Sequence, residues 1–127
     1  MIERISPPGA PTPRGPYSPA VRAGDYIYVS GQISIDPVSG QVVFGDVQVE
    51  TRQVLTNIKQ ILESCGASLA TVVRCGVYLV DAGDFKPMNE VYAEFFGEAR
   101  PARTTIIVAA LPLKDAKVEI DAVAYVG

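Results

Sequence analysis

The sequence predicts an α+β fold with the element order β-β-α-β-α-β-β, in which two amphipathic helices pack on one face of a mixed sheet. Three observations carry that prediction. Apolar residues recur at helical spacing in two stretches, 46–65 and 84–97. Apolar, β-branched runs stand before, between and after them. No linker, solenoid-period repeat or low-complexity tract beyond a proline-rich lead divides the 127 residues. One domain, residues 1–127, is expected, large enough to bury roughly two-thirds of the surface of its unfolded chain.

From Ser6 to Pro19, six prolines and two glycines give an extended, turn-rich lead. It reads either as a disordered tail or as an ordered arm laid across a pocket, with Tyr17 held in the turn Gly15-Pro16-Tyr17-Ser18. Tyr26 to Ile35 has strand composition, and Asp36-Pro-Val-Ser-Gly40 signals a turn toward a short partner at Gln41 to Phe44, which together predict a hairpin. Gly31 inside that strand implies a β-bulge or a close approach to the backbone, so Ser30 and Gly31 form a candidate ligand edge.

Asp46 is placed to cap a helix running to Cys65, with Val54, Leu55, Ile58, Ile61 and Leu62 on one stripe and Gly66 just past its end. The other face, with Glu50, Arg52, Gln53, Asn57, Lys59 and Glu63, reads as solvated surface. Val72 to Val80 is a second apolar strand. A second helix is expected after the cap Asp84, running through Phe85, Met88, Tyr92, Phe95 and Phe96 to Gly97, with its aromatics in the core and Pro87 tolerated in the first turn. Asn89 has Phe85 and Phe96 as helix neighbours, and a half-buried amide there needs hydrogen-bond partners.

Pro101 suits the start of a strand, and Thr104 to Leu111 reads as a strand covered on both faces with Arg103 at its mouth. In the last strand, alternation puts Val118, Ile120, Ala122, Ala124 and Val126 on one face and Glu119, Asp121, Val123 and Tyr125 on the other. These two strands, joined by the turn Pro112 to Ala116, are expected to be antiparallel neighbours, which would bring Glu119 toward Arg103. Two helices cover one sheet face only. Apolar residues assigned to the other face, with Ile107, Ala109 and Val123 among them, predict burial against copies of the same chain.

Composition removes whole classes of chemistry. A net charge of -3 and a pI near 4.8 give no electrostatic footprint for nucleic acid or an anionic membrane. The first residues lack a hydrophobic signal core and no apolar run approaches the ~20 residues that span a bilayer, so a cytoplasmic protein is expected. There is no histidine, which excludes histidine-based triads and removes the commonest metal ligand. Cys-x-x-Cys, phosphate-loop and dinucleotide glycine motifs are also missing. Cys65 and Cys75 fall in apolar segments and read as small hydrophobes, not as a disulfide. Any catalysis must use carboxylate, tyrosine, arginine, backbone or water.

Arg103 and Glu119 then admit two readings. One is a cross-strand salt bridge contributing about 0–1 kcal/mol if exposed. The other is a pocket in which the planar fork of Arg103 grips a ligand carboxylate while Glu119 orients a water.

Six segments, in order and nearly end to end, give the chain a family resemblance: Gly15-Pro-Tyr-Ser18, Val29-Ser-Gly-Gln32, Asn57, Met88-Asn-Glu-Val-Tyr92, Pro101-Ala-Arg-Thr104 and Val118-Glu-Ile-Asp-Ala122. The sequence resembles the reactive intermediate deaminase (Rid) family, also called the YjgF or liver perchloric-acid-soluble protein family. The resemblance implies a chorismate-mutase-like fold and a homotrimer with a central barrel and clefts between subunits. It also implies hydrolysis of enamines and imines of the 2-aminoacrylate and 2-iminopropanoate type, released by pyridoxal-phosphate enzymes, to 2-keto acids and ammonia. No cofactor or metal is implied. Arg103 matches the family's carboxylate-binding arginine, Tyr17 and Glu119 the residues bordering the attacking water, Asn89 the helix amide, and Ser30 and Gly31 the backbone edge. Thr105 stands where some members have cysteine, Arg100 where an aromatic is frequent, and Pro19 where glutamine is frequent. A non-catalytic 2-keto acid binding protein is the alternative function, followed by a ribonuclease or translation inhibitor, which the acidic pI disfavours.

Overall fold

Asp46 starts the first helix as its side chain requires, accepting a hydrogen bond from Val49 N at 2.9 Å, and the chain runs helically from Val47 to Ser64. In the computed structural model, which describes residues 1–127, this helix (α1) ends at Cys65, with Gly66 at φ 80°. Ala67 N then donates to Leu62 O at 2.9 Å, the bond pattern that closes a helix through a left-handed residue. The second helix, α2, spans Phe85–Phe96 and stops at Gly97, φ 55°. Asp84 precedes it but makes no side-chain cap; Asp81 instead accepts from Gly83 N at 2.8 Å in the short 3-10 turn before the helix.

Both helices lie on one face of a six-stranded mixed sheet, and the α+β class is as expected. Its strands are β1 Ile2–Ile5, β2 Ala20–Ala23, β3 Tyr26–Gln32, β4 Val72–Leu79, β5 Ala102–Ile107 and β6 Val118–Tyr125, arranged β1-β2-β3-β6-β4-β5. Ile58, Ile61 and Leu62 of α1 and Met88 of α2 pack on Val77, Leu79, Val118 and Ile120 of the central strands. Each of these fully buried aliphatic side chains contributes ~1.5–3 kcal/mol, so Ile58→Ala would cost about 2–5 kcal/mol.

Four expectations are corrected. Gln41 to Phe44 is not a strand: only the bridge Ile35↔Val42 joins it to the preceding segment, while β3 pairs with β2 and β6. The antiparallel partners β1 and β2 went unread because four residues are too few to show alternation. Glu50 and Asn57 are not solvated but 0% exposed. They fall four residues before and three after Val54, on the buried stripe itself, and each has partners there. Glu50 accepts from Lys117 N at 2.9 Å and from Lys117 Nζ at 3.4 Å, and Asn57 Nδ2 donates to Ile35 O at 2.8 Å.

The fourth correction concerns β5 and β6, which are not neighbours. β5 runs parallel to β4 at the sheet edge and β6 lies on the other side of β4. β5 is therefore not covered on both faces in the single chain; Ile106 and Ile107 are 44% and 48% exposed. Register pairs Ile107 with Leu79, so it belongs to the helix side, and Ile106, paired with Tyr78, takes the opposite face. The last strand alternates as predicted, with Val118, Ile120, Ala122 and Ala124 buried. Phe85 is exposed at the start of α2, whereas Tyr92 and Phe96 are buried. No helix is long and apolar enough to cross a membrane.

Candidate functional site

β4 divides the seven candidate residues into two groups. Arg103 pairs with the buried Cys75 and Thr105 with the buried Val77, which turns both side chains toward the helices. Glu119 pairs with Tyr78 on the opposite face. The expected Arg103–Glu119 approach does not occur within one chain, because the connection from β5 to β6 passes around β4 and is not a hairpin.

On the helix side, the Arg103 guanidinium carbon lies 4.7 Å from the ring centre of Tyr92 and 5.8 Å from that of Phe85. No carboxylate pairs with it: the ion pairs of the chain are Arg52–Glu94, Arg74–Asp121 and Lys117–Glu50. Three buried polar atoms of the chain lack a hydrogen-bond partner, and they are Asn89 Oδ1, Tyr92 Oη and Thr105 Oγ1. Asn89 and Tyr92 are three residues apart on α2, and Thr105 follows Arg103 by two on β5, so all three belong to the surroundings of this guanidinium. Leaving such atoms buried and unpaired costs about 1–3 kcal/mol each, which makes the cluster a place where a polar ligand is favoured. Burial holds the Cys75 thiol beside it up at about 11, so this cysteine is no ready nucleophile.

On the opposite face, the Pro-rich lead is an ordered arm and not a tail. Ser30 N donates to Pro19 O at 3.0 Å and Ser30 Oγ to Ser18 O at 2.6 Å, tying the arm to β3. Arm and sheet enclose a cavity of about 460 Å³ lined by Tyr17, Ser30, Gly31 and Glu119 among others. The two readings of Ser30-Gly31 hold together: register shifts between Val29 and Gln32, a β-bulge, and the bulge forms the cavity edge. A side chain at Gly31 would collide with Glu119 Oε2, so the glycine is what lets the carboxylate lie against the strand. Burial first, and then the charge of Asp121, raise Glu119 above the usual carboxylate range. Asp121 itself is engaged, accepting from Gly76 N and Tyr78 Oη at 2.9 Å each.

Arg100 is exposed in a left-handed conformation (φ 40°) at the turn before β5, and Pro19 is a buried part of the cavity wall. Sequence reasoning missed Tyr92 and Phe85 as the flanks of Arg103; their spacing with Asn89 on α2 was the available signal. No group of three His, Cys, Asp or Glu side chains is arranged to hold a metal ion.

The fold and the two clusters define a small α+β protein with an arginine free of any carboxylate partner on the helix side of its sheet and a cavity bordered by a carboxylate on the other. The endoribonuclease L-PSP family model matches residues 8–126. A RutC family protein of Pyrococcus horikoshii is 54% identical over 125 residues, 98% of each chain. The 2-iminobutanoate/2-iminopropanoate deaminase of Bos taurus is 47% identical over 123 residues, 97% of this chain and 89% of that one. Among solved structures, E. coli TdcF with bound serine has a TM-score of 0.89 at 38% identity, covering 97% of this chain and 98% of that chain. The chain belongs to the endoribonuclease L-PSP family, the Rid family indicated by its motifs.

Proposed function

We propose that the protein is an enamine and imine deaminase acting on 2-aminoacrylate and its tautomer 2-iminopropanoate, intermediates released by pyridoxal-phosphate enzymes. One observation carries the reading: the Arg103 guanidinium lies over the rings of Tyr92 and Phe85, 4.7 and 5.8 Å from their centres, and has no carboxylate partner. A planar fork in that state suits a bidentate bond to a substrate carboxylate. The mammalian relative's name and the serine bound to TdcF agree with a carboxylate-bearing small molecule. The net charge of -3 offers no attraction to RNA, which disfavours a nuclease.

The two residue groups face opposite ways, so a complete site needs two copies of the chain, Arg103, Thr105 and Asn89 from one and Tyr17, Ser30, Gly31 and Glu119 from the other. A homotrimer provides three such clefts and also covers the β5 edge and the helix-free face, where Tyr28 and Ile106 are exposed. In the cleft, Arg103 holds the carboxylate and the Ser30-Gly31 edge and Tyr17 flank the imine. Glu119 takes a proton from water as the water oxygen bonds to the carbon of the protonated imine, and the C=N double bond becomes a single bond. Glu119 returns that proton to the nitrogen; the C–N bond then breaks as the hydroxyl oxygen forms the C=O bond, ammonia leaves, and the hydroxyl proton passes back to the Glu119 carboxylate and on to ammonia, which gives the 2-keto acid and ammonium. A protonated imine is already electrophilic, so positioning supplies most of the acceleration. The Asn89 and Thr105 oxygens suit the polar groups of the substrate.

Generating 2-aminoacrylate with a serine dehydratase and following pyruvate tests this. Acceleration by the wild type, and a drop of roughly 10²-fold in kcat/KM for Arg103→Ala, are expected. Arg103→Lys is expected to recover little of the loss, because an ammonium lacks the fork. No acceleration by the wild type, or full activity in Arg103→Ala, refutes the proposal.

A further inference from the structure

The cavity under the arm contains a cation that none of these roles uses. Arg14 lines it together with Tyr17, Gln32 and Glu119. Its Nη2 donates to Gly40 O at 3.3 Å, and its backbone N–H donates to Tyr17 Oη at 3.3 Å. These bonds tether the residue to the arm and to the turn at Gly40, yet the one acceptor on the guanidinium is a neutral carbonyl. The charge is thus held in place without being neutralised, and most of the five donors of the fork stay free. Glu119 lines the same cavity but is not its partner, since no ion pair of the chain includes Arg14. Ile33 and Leu113 provide apolar wall between the polar groups of the cavity.

We infer that Arg14 forms a second anion subsite, which selects imines of dicarboxylic acids: the α-carboxylate goes to Arg103 of one copy and the distal carboxylate to Arg14 of the copy whose cavity is filled. This deepens the proposed function and rests on it. A cation in the same cavity offsets the repulsion that the Glu119 carboxylate exerts on a second substrate carboxylate. Planar bidentate pairing favours a carboxylate over a neutral side chain at the same place. Arg14 is exposed, so its attraction is screened by salt in a way that a buried pair is not.

The experiment compares imines made in situ by amino-acid oxidases, from aspartate for the dicarboxylic class and from alanine for the neutral class, scavenged by the protein in competition with semicarbazide. Wild type is expected to prefer the dicarboxylic imine by about tenfold or more in kcat/KM, less so at high salt. Arg14→Gln is expected to lower that ratio by roughly 10- to 30-fold, with Arg14→Lys between the two. Acceleration of the neutral imine alone, or a ratio unchanged in Arg14→Gln, overturns the subsite while leaving the deaminase reading standing. If neither imine is accelerated, the deaminase reading fails and calorimetry decides the subsite separately. Weaker binding of 2-oxoglutarate but not of 2-oxobutyrate to Arg14→Gln supports it, and equal effects on both overturn it.

Discussion

Arg103 lies 4.7 Å over the ring of Tyr92 in place of a salt bridge, and the Tyr92 hydroxyl is buried with no hydrogen-bond partner. The ring face holds the guanidinium at this distance, while the hydroxyl lies near Cys75 and Arg103 without a well-formed hydrogen bond to either. A cation over an aromatic face gains about 0.5–2 kcal/mol, whereas an unpartnered buried hydroxyl contributes nothing favourable.

Tyr92→Phe should therefore leave stability unchanged or raise it by about 1 kcal/mol, and keep kcat/KM within about threefold. Tyr92→Leu should raise KM for the imine by roughly 10-fold as the fork loses its support. Denaturant melts and steady-state kinetics on both variants check this; equal kinetic losses in the two would assign the effect to the hydroxyl.

Glu50 is fully buried and bonded to both nitrogens of Lys117, fixing the turn that delivers β6. Glu50→Ala leaves the Lys117 N–H without its acceptor and is expected to destabilise by about 3 kcal/mol. Urea unfolding reads the change, and a loss below about 1 kcal/mol contradicts this role.

The raised proton affinity of Glu119 gives stability a pH dependence with a definite sign. The folded protein holds this proton more tightly than the unfolded chain, whose value is near 4.5. The contribution is therefore fully present below that value and is lost as pH rises through the higher folded value. At pH 7 the ionised carboxylate opposes folding. Glu119→Gln is expected to be more stable than wild type at neutral pH, with the advantage shrinking toward pH 4.5, while its deaminase activity falls. An advantage that does not vary with pH contradicts the assignment.

Gly31→Ala introduces a methyl where Glu119 Oε2 lies. The carboxylate must swing away, and a misplaced water-orienting group is expected to cost about 10²-fold in kcat. The Arg103 cluster is untouched, so KM should change much less. Kinetics that show the opposite split would separate Gly31 from the water side of the site.

The helices were legible because their signals are local: the Asp46 cap, the Gly66 and Gly97 terminators, and the stripe from Val54 to Leu62. Pro101, one residue ahead of β5, was legible for the same reason. Strand partnership was not, since nothing in the turn Pro112 to Ala116 reveals that β4 lies between β5 and β6. Glu50 and Asn57 were misread because polarity was taken as exposure, although helical spacing already put them beside Val54. The candidate residues and the expectation of clefts between subunits came from motif resemblance, while the division of those residues between the two sheet faces required the register of Cys75 with Arg103 and of Tyr78 with Glu119.

The most direct measurement mixes two inactive proteins, Arg103→Ala and Glu119→Ala, refolds them together, and assays 2-aminoacrylate hydrolysis. If each site combines Arg103 of one copy with Glu119 of another, random assembly restores about a quarter of the wild-type sites and of the activity. If both residues serve one site within a single chain, the mixture stays as inactive as its parts, and the account is wrong.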